Sequence, residues 1–444
     1  MTDLTTADQL HPAYGFGKPN ESVQIADDEA EILDSAGNTL LSGTARIVLD
    51  LLPRPKINVH IESAADWPPP LSGDHLAVRL KRHSLEIEGF ATQMTVESSV
   101  GTSMIWTPRS EPIVGVGDNG TELCKVIFHL LNFNDFVGSE RTVEQDNTGH
   151  HVIEHLRLQA GAWTVNIRSL VDTRTQVRQL RGQGGCGLTH IGCLRRPDGS
   201  CFSGQDAHEG LGALRYFLSF AKGAWCEPVC AVGFDALGNR VWESWSSPRE
   251  SWASPRSWFD TFHPEQLTEL FPGFLHRWST PDWCSAFREV LYWYLSANRT
   301  RPDVGTILTQ TGLERVSFEY AVKDRCLIET GGFKKLRASD KLRLLLSSLD
   351  IPIAIAQCPP NLRKVAGRNK WADLPHAMTE VRNAIVHPDH RLRRQEDLAL
   401  RDTCSVGLWY LELAVLRLCN YSGTYQNRLA ATHEGQVEPV PWSS

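Results

Sequence analysis

Ala372-Asp-Leu-Pro-His-Ala-Met-Thr-Glu-Val-Arg-Asn-Ala-Ile-Val-His-Pro388 decides how the C-terminal third of this 444-residue chain is read. Leu374, Met378, Val381 and Ile385 recur at i, i+4, i+7 and i+11, which predicts a helix over 372–386 with one buried apolar stripe. Arg382, Asn383 and His387 lie off that stripe. At about 100° per residue, Arg382 and His387 are roughly 140° apart on a straight helix and do not share one face. Pro388 disfavours helical geometry at the residue before it, so His387 is expected where the helix ends, with its ring turned from the ideal helical direction. A second subunit is another source of side chains for such a site.

Helical patterning surrounds this segment. Stretches 282–297, 313–323, 339–349 and 397–421 share its character, the first introduced by Thr280 as a cap and Pro281 at the first turn, and five helices suffice for a bundle. The change to helices follows the Ser-, Trp- and Pro-rich run 246–255. Upstream, Thr44-Ala-Arg-Ile-Val-Leu-Asp-Leu-Leu, Lys56-Ile-Asn-Val-His-Ile, His75-Leu-Ala-Val-Arg-Leu and Ser84-Leu-Glu-Ile-Glu-Gly-Phe alternate apolar with polar residues, the period of half-buried strands. A helix is expected over 205–221, with strands on either side of Asp235-Ala-Leu-Gly-Asn-Arg. The expected architecture is multidomain α+β: a β-rich region, sandwich or barrel-like, over 1–275, divisible into 1–169 and 170–275; an all-α bundle over 276–430; and a tail over 431–444.

Composition narrows the function classes. Hydrophobic content of 41% and charged content of 22% are globular. Neither a secretory leader nor a membrane span is expected, since the apolar stretch 408–418 is broken by Glu412 and Arg417. Eleven scattered cysteines fit reduced thiols, and a cytoplasmic location, better than a disulfide framework. A net charge of −7 argues against a surface basic all over, yet 361–401 holds nine Arg or Lys against five Asp or Glu, either a solvated helix face or a local site for an anion.

A permanently charged guanidinium, an amide and an imidazole that titrates near neutrality are sufficient parts for cutting RNA without a metal. His387 is the candidate general acid or base, Arg382 the group that stabilises charge on the phosphate, and Asn383 the group that orients it. Arg391, Arg393 and Arg394 are candidate RNA-binding residues. No metal or cofactor is expected.

The segment Glu380-Val-Arg-Asn-Ala-Ile-Val-His-Pro resembles the Arg-Asn-x-x-x-His signature of HEPN ribonucleases, in particular ApeA-like abortive-infection proteins. Leu130-Leu-Asn-Phe-Asn-Asp-Phe, Thr189-His-Ile-Gly, Arg215-Tyr-Phe-Leu-Ser-Phe-Ala-Lys-Gly and Asn420-Tyr-Ser-Gly-Thr-Tyr-Gln-Asn-Arg are similar to positions in those long, two-part proteins. The resemblance implies a HEPN bundle, a homodimer through it that brings two motifs together, and cleavage of RNA, tRNA among the candidates, as an anti-phage or toxin-like effector. The β-rich region would then sense a phage or cellular trigger. The competing reading is a non-catalytic HEPN-like scaffold whose β-rich part binds a partner.

Other constellations are weaker. Cys186, Cys193, Cys201, Cys226 and Cys230, with His190 or His208, lack the paired spacing of a zinc site, and His150, His151 and His155 fit a strand end better than a ligand set. Arg181-Gly-Gln-Gly-Gly-Cys-Gly reads as turns, because extended residues follow it rather than a helix. Trp242, Trp245, Trp252 and Trp258, among fourteen tryptophans, are candidates for an aromatic stacking surface.

Overall fold

The alternation of the N-terminal segments resolves into closure. In a computed structural model that describes residues 10–64, 76–97, 101–146, 149–387, 397–430 and 433–443, six strands form a barrel. They are β1 (Val23–Leu33), β2 (Thr39–Asp50), β3 (Lys56–Ser63), β4 (Leu76–Leu80), β5 (Leu85–Glu97) and β6 (Gly101–Pro108), in the order β1-β2-β3-β6-β5-β4. Ile57, Val59 and Ile61 of β3 and Val78 and Leu80 of β4 point inward with Trp106, all buried, while their alternates face outward. Closure leaves the barrel without edge strands to cover.

A second sheet follows: β7 (Ile113–Val116), β8 (Glu122–Leu123), β9 (Lys125–Leu131), β10 (Glu140–Asp146), β11 (Gly149–Ala160), β12 (Trp163–Ser169), β13 (Leu188–Arg195), β14 (Phe202–Ser203), β15 (Pro228–Phe234) and β16 (Arg240–Trp245). Eight of these run β10-β11-β12-β13-β9-β15-β16-β7, all antiparallel, and β8 pairs with β14. Helix α1 (Thr173–Gln183) precedes β13, and α2 (Gly204–Lys222), opened by a Ser203–Asp206 capping box, precedes β15. Because β12 and β13 pair from Thr164↔Arg195 to Ser169↔His190, the sheet continues across position 169. The last barrel strand ends at Pro108 and the first strand of this sheet starts at Ile113.

Over β15 and β16 both faces of this sheet are covered. Val229, Val232 and Trp245 pack with the barrel core, whereas Ala231 and Trp242 join the core of the helices. A strand covered on both faces has no polar side, which is why β15 reads as an apolar run.

The C-terminal part holds α3 (Glu265–Trp278), α4 (Pro281–Ala297), α5 (Pro302–Phe318), α6 (Thr330–Lys335), α7 (Ala338–Ser348), α8 (Pro360–Asn369), α9 (Leu374–Val386) and α10 (Asp397–Leu418). A π-helical segment, Glu319–Asp324, extends α5. The protein is thus multidomain α+β, β-rich in its N-terminal half and helical at its C-terminal end. Three expectations need correction. Helix α5 starts at Pro302 rather than 313, because packing against α4 and α10 overrides the weak propensity of Val304-Gly-Thr-Ile-Leu-Thr. Thr280 caps nothing with its side chain; its Oγ1 donates to the His276 carbonyl. Cys124, just after β8, and Cys201, just before β14, form a disulfide, their Cα atoms 4.4 Å apart, while nine cysteines are free.

Phe217 of α2 meets Phe271 and Phe274 of α3, so the central sheet and the bundle share one hydrophobic core. A buried ion cluster ties the bundle to the chain's end: Arg428 donates to both oxygens of Glu412, to Asn298 Oδ1 at 3.1 Å and to the Arg256 carbonyl at 2.6 Å. Tyr294 Oη donates to Glu412 at 2.6 Å. The last residues fold back, with β18 (Glu438–Pro439) pairing with β17 (Thr424–Tyr425) and Trp442 Nε1 donating to the Tyr421 carbonyl at 2.7 Å.

Candidate active site at the end of helix α9

Helix α9 starts where Asp373 accepts a hydrogen bond from the His376 amide at 2.9 Å and Pro375 occupies the first turn. Asp373 also receives two donors from Arg343 of α7, at 2.6 and 3.1 Å, which fixes the helix start to its neighbour. Leu374, Met378 and Val381 are fully buried. Gly407 lets α10 come close: a Cβ there would lie 3.2 Å from Met378 Cε and collide with Thr309 of α5. Ile385, expected in the buried stripe, is only half-buried, because the last turn of α9 emerges from the core.

That emergence shapes the site. Val386 and His387 are exposed. His387 has φ −113° and ψ 119°, an extended backbone in keeping with the following proline, and its amide still donates to the Asn383 carbonyl at 2.9 Å. The imidazole therefore stands one turn beyond a half-buried pair in which Arg382 Nη1 donates to Asn383 Oδ1 at 3.4 Å. Arg391, Arg393 and Arg394 lie outside the described residues.

Part of the local basic excess comes from α8. Asp402 of α10 accepts from the Asn361 and Leu362 amides, both at 3.0 Å, and so anchors the start of α8. Leu362, Val365 and Ala366 turn inward, which leaves Lys364, Arg368 and Lys370 on the exposed side. Arg363 is committed to the carbonyls of Ala356 and Cys358.

The remaining sequence candidates are dispersed. Cys201 is bonded to Cys124, Cys230 Sγ donates to the Ser246 carbonyl, and among the described residues no His, Cys, Asp or Glu group is placed to hold a metal ion. His190 is buried against Phe136, and burial pushes its pKa down to about 3. His208 meets Ser244 Oγ at 3.2 Å, His150 is exposed on β11, and His155 meets Thr142 Oγ1 at 2.8 Å. The glycine-rich stretch closes α1, with Gly184 at φ 73° and Gly185 at φ 90° packed on Asn20. Trp242, Trp245 and Trp258 are wholly buried and cannot form a stacking surface.

Three of the wider motifs make hydrogen bonds within the fold. Asn132 accepts from the Gly187 amide, Thr189 Oγ1 accepts from the Phe133 amide, and the Gln426 amide donates to the Trp258 carbonyl. Sequence reasoning missed two wholly buried polar residues. His129 accepts from the Ala13 amide at 2.9 Å, and Lys222, over the Trp252 ring, has its pKa lowered by burial to about 8. Nothing in the local pattern marks either one.

Two family profiles match this chain: the YopA central domain over residues 118–256 and the YopA C-terminal domain over 280–438. The chain is also 29% identical, over 272 residues, to the SPbeta prophage-derived uncharacterized protein YopA of Bacillus subtilis (strain 168). That similarity covers 60% of this chain and 60% of the relative's length. No solved structure matches.

Proposed function

We propose that the helical part is a HEPN-type domain and that the protein is a metal-independent endoribonuclease, acting as a cytoplasmic homodimer in an anti-phage abortive-infection or toxin-like role. One observation carries the reading: an exposed imidazole stands at the end of a helix, one turn beyond an arginine–amide pair, with the exposed basic side of α8 belonging to the same bundle. In the reaction the ribose 2′-oxygen loses its proton and attacks phosphorus, the bond to the 5′-oxygen breaks, and that oxygen takes up a proton. His387 serves one of the two transfers and Arg382 stabilises the phosphate oxygens, while the second subunit supplies the complementary groups. The β-rich half is the regulatory module that senses a trigger.

A second reading, the non-catalytic scaffold, draws support from Arg382 being half-buried and bonded to its own neighbour. Purified protein incubated with tRNA and with total RNA in chelator separates the two. His387→Ala is expected to remove about 10²–10⁴ of the rate with an unchanged circular-dichroism spectrum. Equal cleavage by both proteins removes the role given to His387, and cleavage by neither supports the scaffold.

A further inference from the structure

Alternation sorts the side chains of β11, β12 and β13 onto two faces. Leu156, Leu158, Val165, Ile167 and Leu194 point into the core shared with the helices, so His155, Arg157, Thr164, Asn166, Arg168 and Arg195 stand on the opposite face. Among the described residues no hydrophobic side chain of β11 or β12 joins the barrel core, and those six residues line a cavity of about 240 Å³ together with Leu10 and Glu140. Arg196 borders it from the end of β13, but its guanidinium lies on the helix side of the sheet, 4.0 Å from the centroid of the Trp163 ring.

Register fixes which groups are neighbours. Arg195 is opposite Thr164, Arg157 is opposite Asn166 and His155 is opposite Arg168. Strand β12 therefore presents a hydroxyl and an amide in a row, with a guanidinium rooted on each flanking strand. Thr164 is 3% exposed, and its Oγ1 is buried without a hydrogen-bond partner. Leaving a buried hydroxyl unsatisfied costs free energy, so one beside a polar cavity marks a place for an acceptor that the chain itself does not supply. Arg168, 6% exposed, turns its fork to Glu144 at 2.9 and 3.1 Å and lends charge rather than donors, while His155 is engaged with Thr142 Oγ1 at 2.8 Å. Glu140 is exposed at the rim. On this face three arginines, 157, 168 and 195, outnumber the carboxylates of Glu140 and Glu144.

We propose that this cavity binds the phosphate group of inorganic phosphate or of a small phosphomonoester. Guanidinium forks match an oxyanion with several acceptor atoms, and Thr164 Oγ1 and the Asn166 amide supply neutral donors between them. The volume is below the ~300–1,000 Å³ of sites that engulf whole ligands, which limits the guest to a headgroup, with any ester portion passing the rim at Glu140. The site involves neither α9 nor His387 and is tested by binding alone, so it does not depend on the nuclease reading.

Isothermal titration calorimetry of the full chain at low salt tests the assignment, with inorganic phosphate in one arm, glycerol 3-phosphate in a second and acetate as the carboxylate comparison. Arg157→Gln, at an exposed position, and Thr164→Val are each expected to weaken phosphate binding by about tenfold. Because the lost hydroxyl has no partner on its own chain, Thr164→Val should leave the urea midpoint unchanged or raise it, which separates a ligand donor from a structural one. Arg46→Gln, a control at an exposed barrel pair with Glu62, should bind as wild type. Tighter binding of glycerol 3-phosphate than of inorganic phosphate assigns the site to a phosphomonoester, and the reverse order assigns it to free phosphate. The inference is overturned by no wild-type binding of either, by unchanged affinity in both cavity variants, or by acetate binding as tightly as phosphate.

Discussion

Truncating Arg428 to alanine should be the most damaging single change outside the hydrophobic core. Its guanidinium is buried with Glu412, which is fully sequestered, and it also satisfies Asn298 and the Arg256 carbonyl. Without it the Glu412 carboxylate keeps only Tyr294 as a donor, inside a region where ionised groups are costly. Breaking one partner of a buried pair costs about 3–5 kcal/mol, which should lower the urea midpoint of the helical transition by about 1 M or more. The double variant Glu412→Leu/Arg428→Met removes both charges at similar volume and is expected to recover most of the loss. Urea titrations followed by tryptophan fluorescence measure all three proteins. A loss under about 1 kcal/mol for Arg428→Ala, or a double variant as unstable as the single one, would refute the premise that an unpaired buried charge is the penalty.

Acid should weaken the central sheet before it weakens the barrel. Burial depresses His129 to about 4 and His190 to about 3, so the unfolded chain, with histidines near 6.5, takes up those protons first. The stability from each neutral imidazole is complete above about pH 6.5 and declines by about 1.4 kcal/mol per unit as pH falls towards the folded values; urea midpoints at several pH values read the slope, and a flat profile contradicts it. In Asp28 the shift favours the charged form instead: burial raises its pKa, but donors from the Arg82, Glu29 and His83 amides and the His83 ring outweigh that and hold it below the ordinary carboxylate range. Its contribution is present above about pH 4 and is lost as pH falls through the folded value, so Asp28→Asn should flatten the acid limb of barrel unfolding seen by circular dichroism. Met378→Ala opens space where α9 crosses α5 and α10 and should cost about 2–5 kcal/mol in the same urea assay; a loss under 1 would mean that the site's helix is not seated as described.

The barrel strands were legible because one face of each is wet: β3 and β4 alternate cleanly. β15 was harder, since a strand covered on both faces carries no period of two. Helix α3 was hidden by Pro272 within it, and the first half of α5 by β-branched residues and glycine that local propensity disfavours. At the candidate site, the backbone of His387 followed from Pro388 alone, whereas the half-exposure of Ile385 depends on where α5 and α10 end their contact with α9. The meeting of Arg196 with Trp163 depends on the pairing of β12 with β13, and no local pattern could announce it.

The chemistry of the cut ends tests the central claim most directly. With an end-labelled RNA in chelator, attack by the 2′-oxygen predicts a 2′,3′-cyclic phosphate on one fragment and a 5′-hydroxyl on the other, both missing with His387→Ala. Fragments bearing 5′-phosphates, or the same cyclic ends from His387→Ala as from wild type, would contradict an imidazole at the end of α9 as the group that moves the proton.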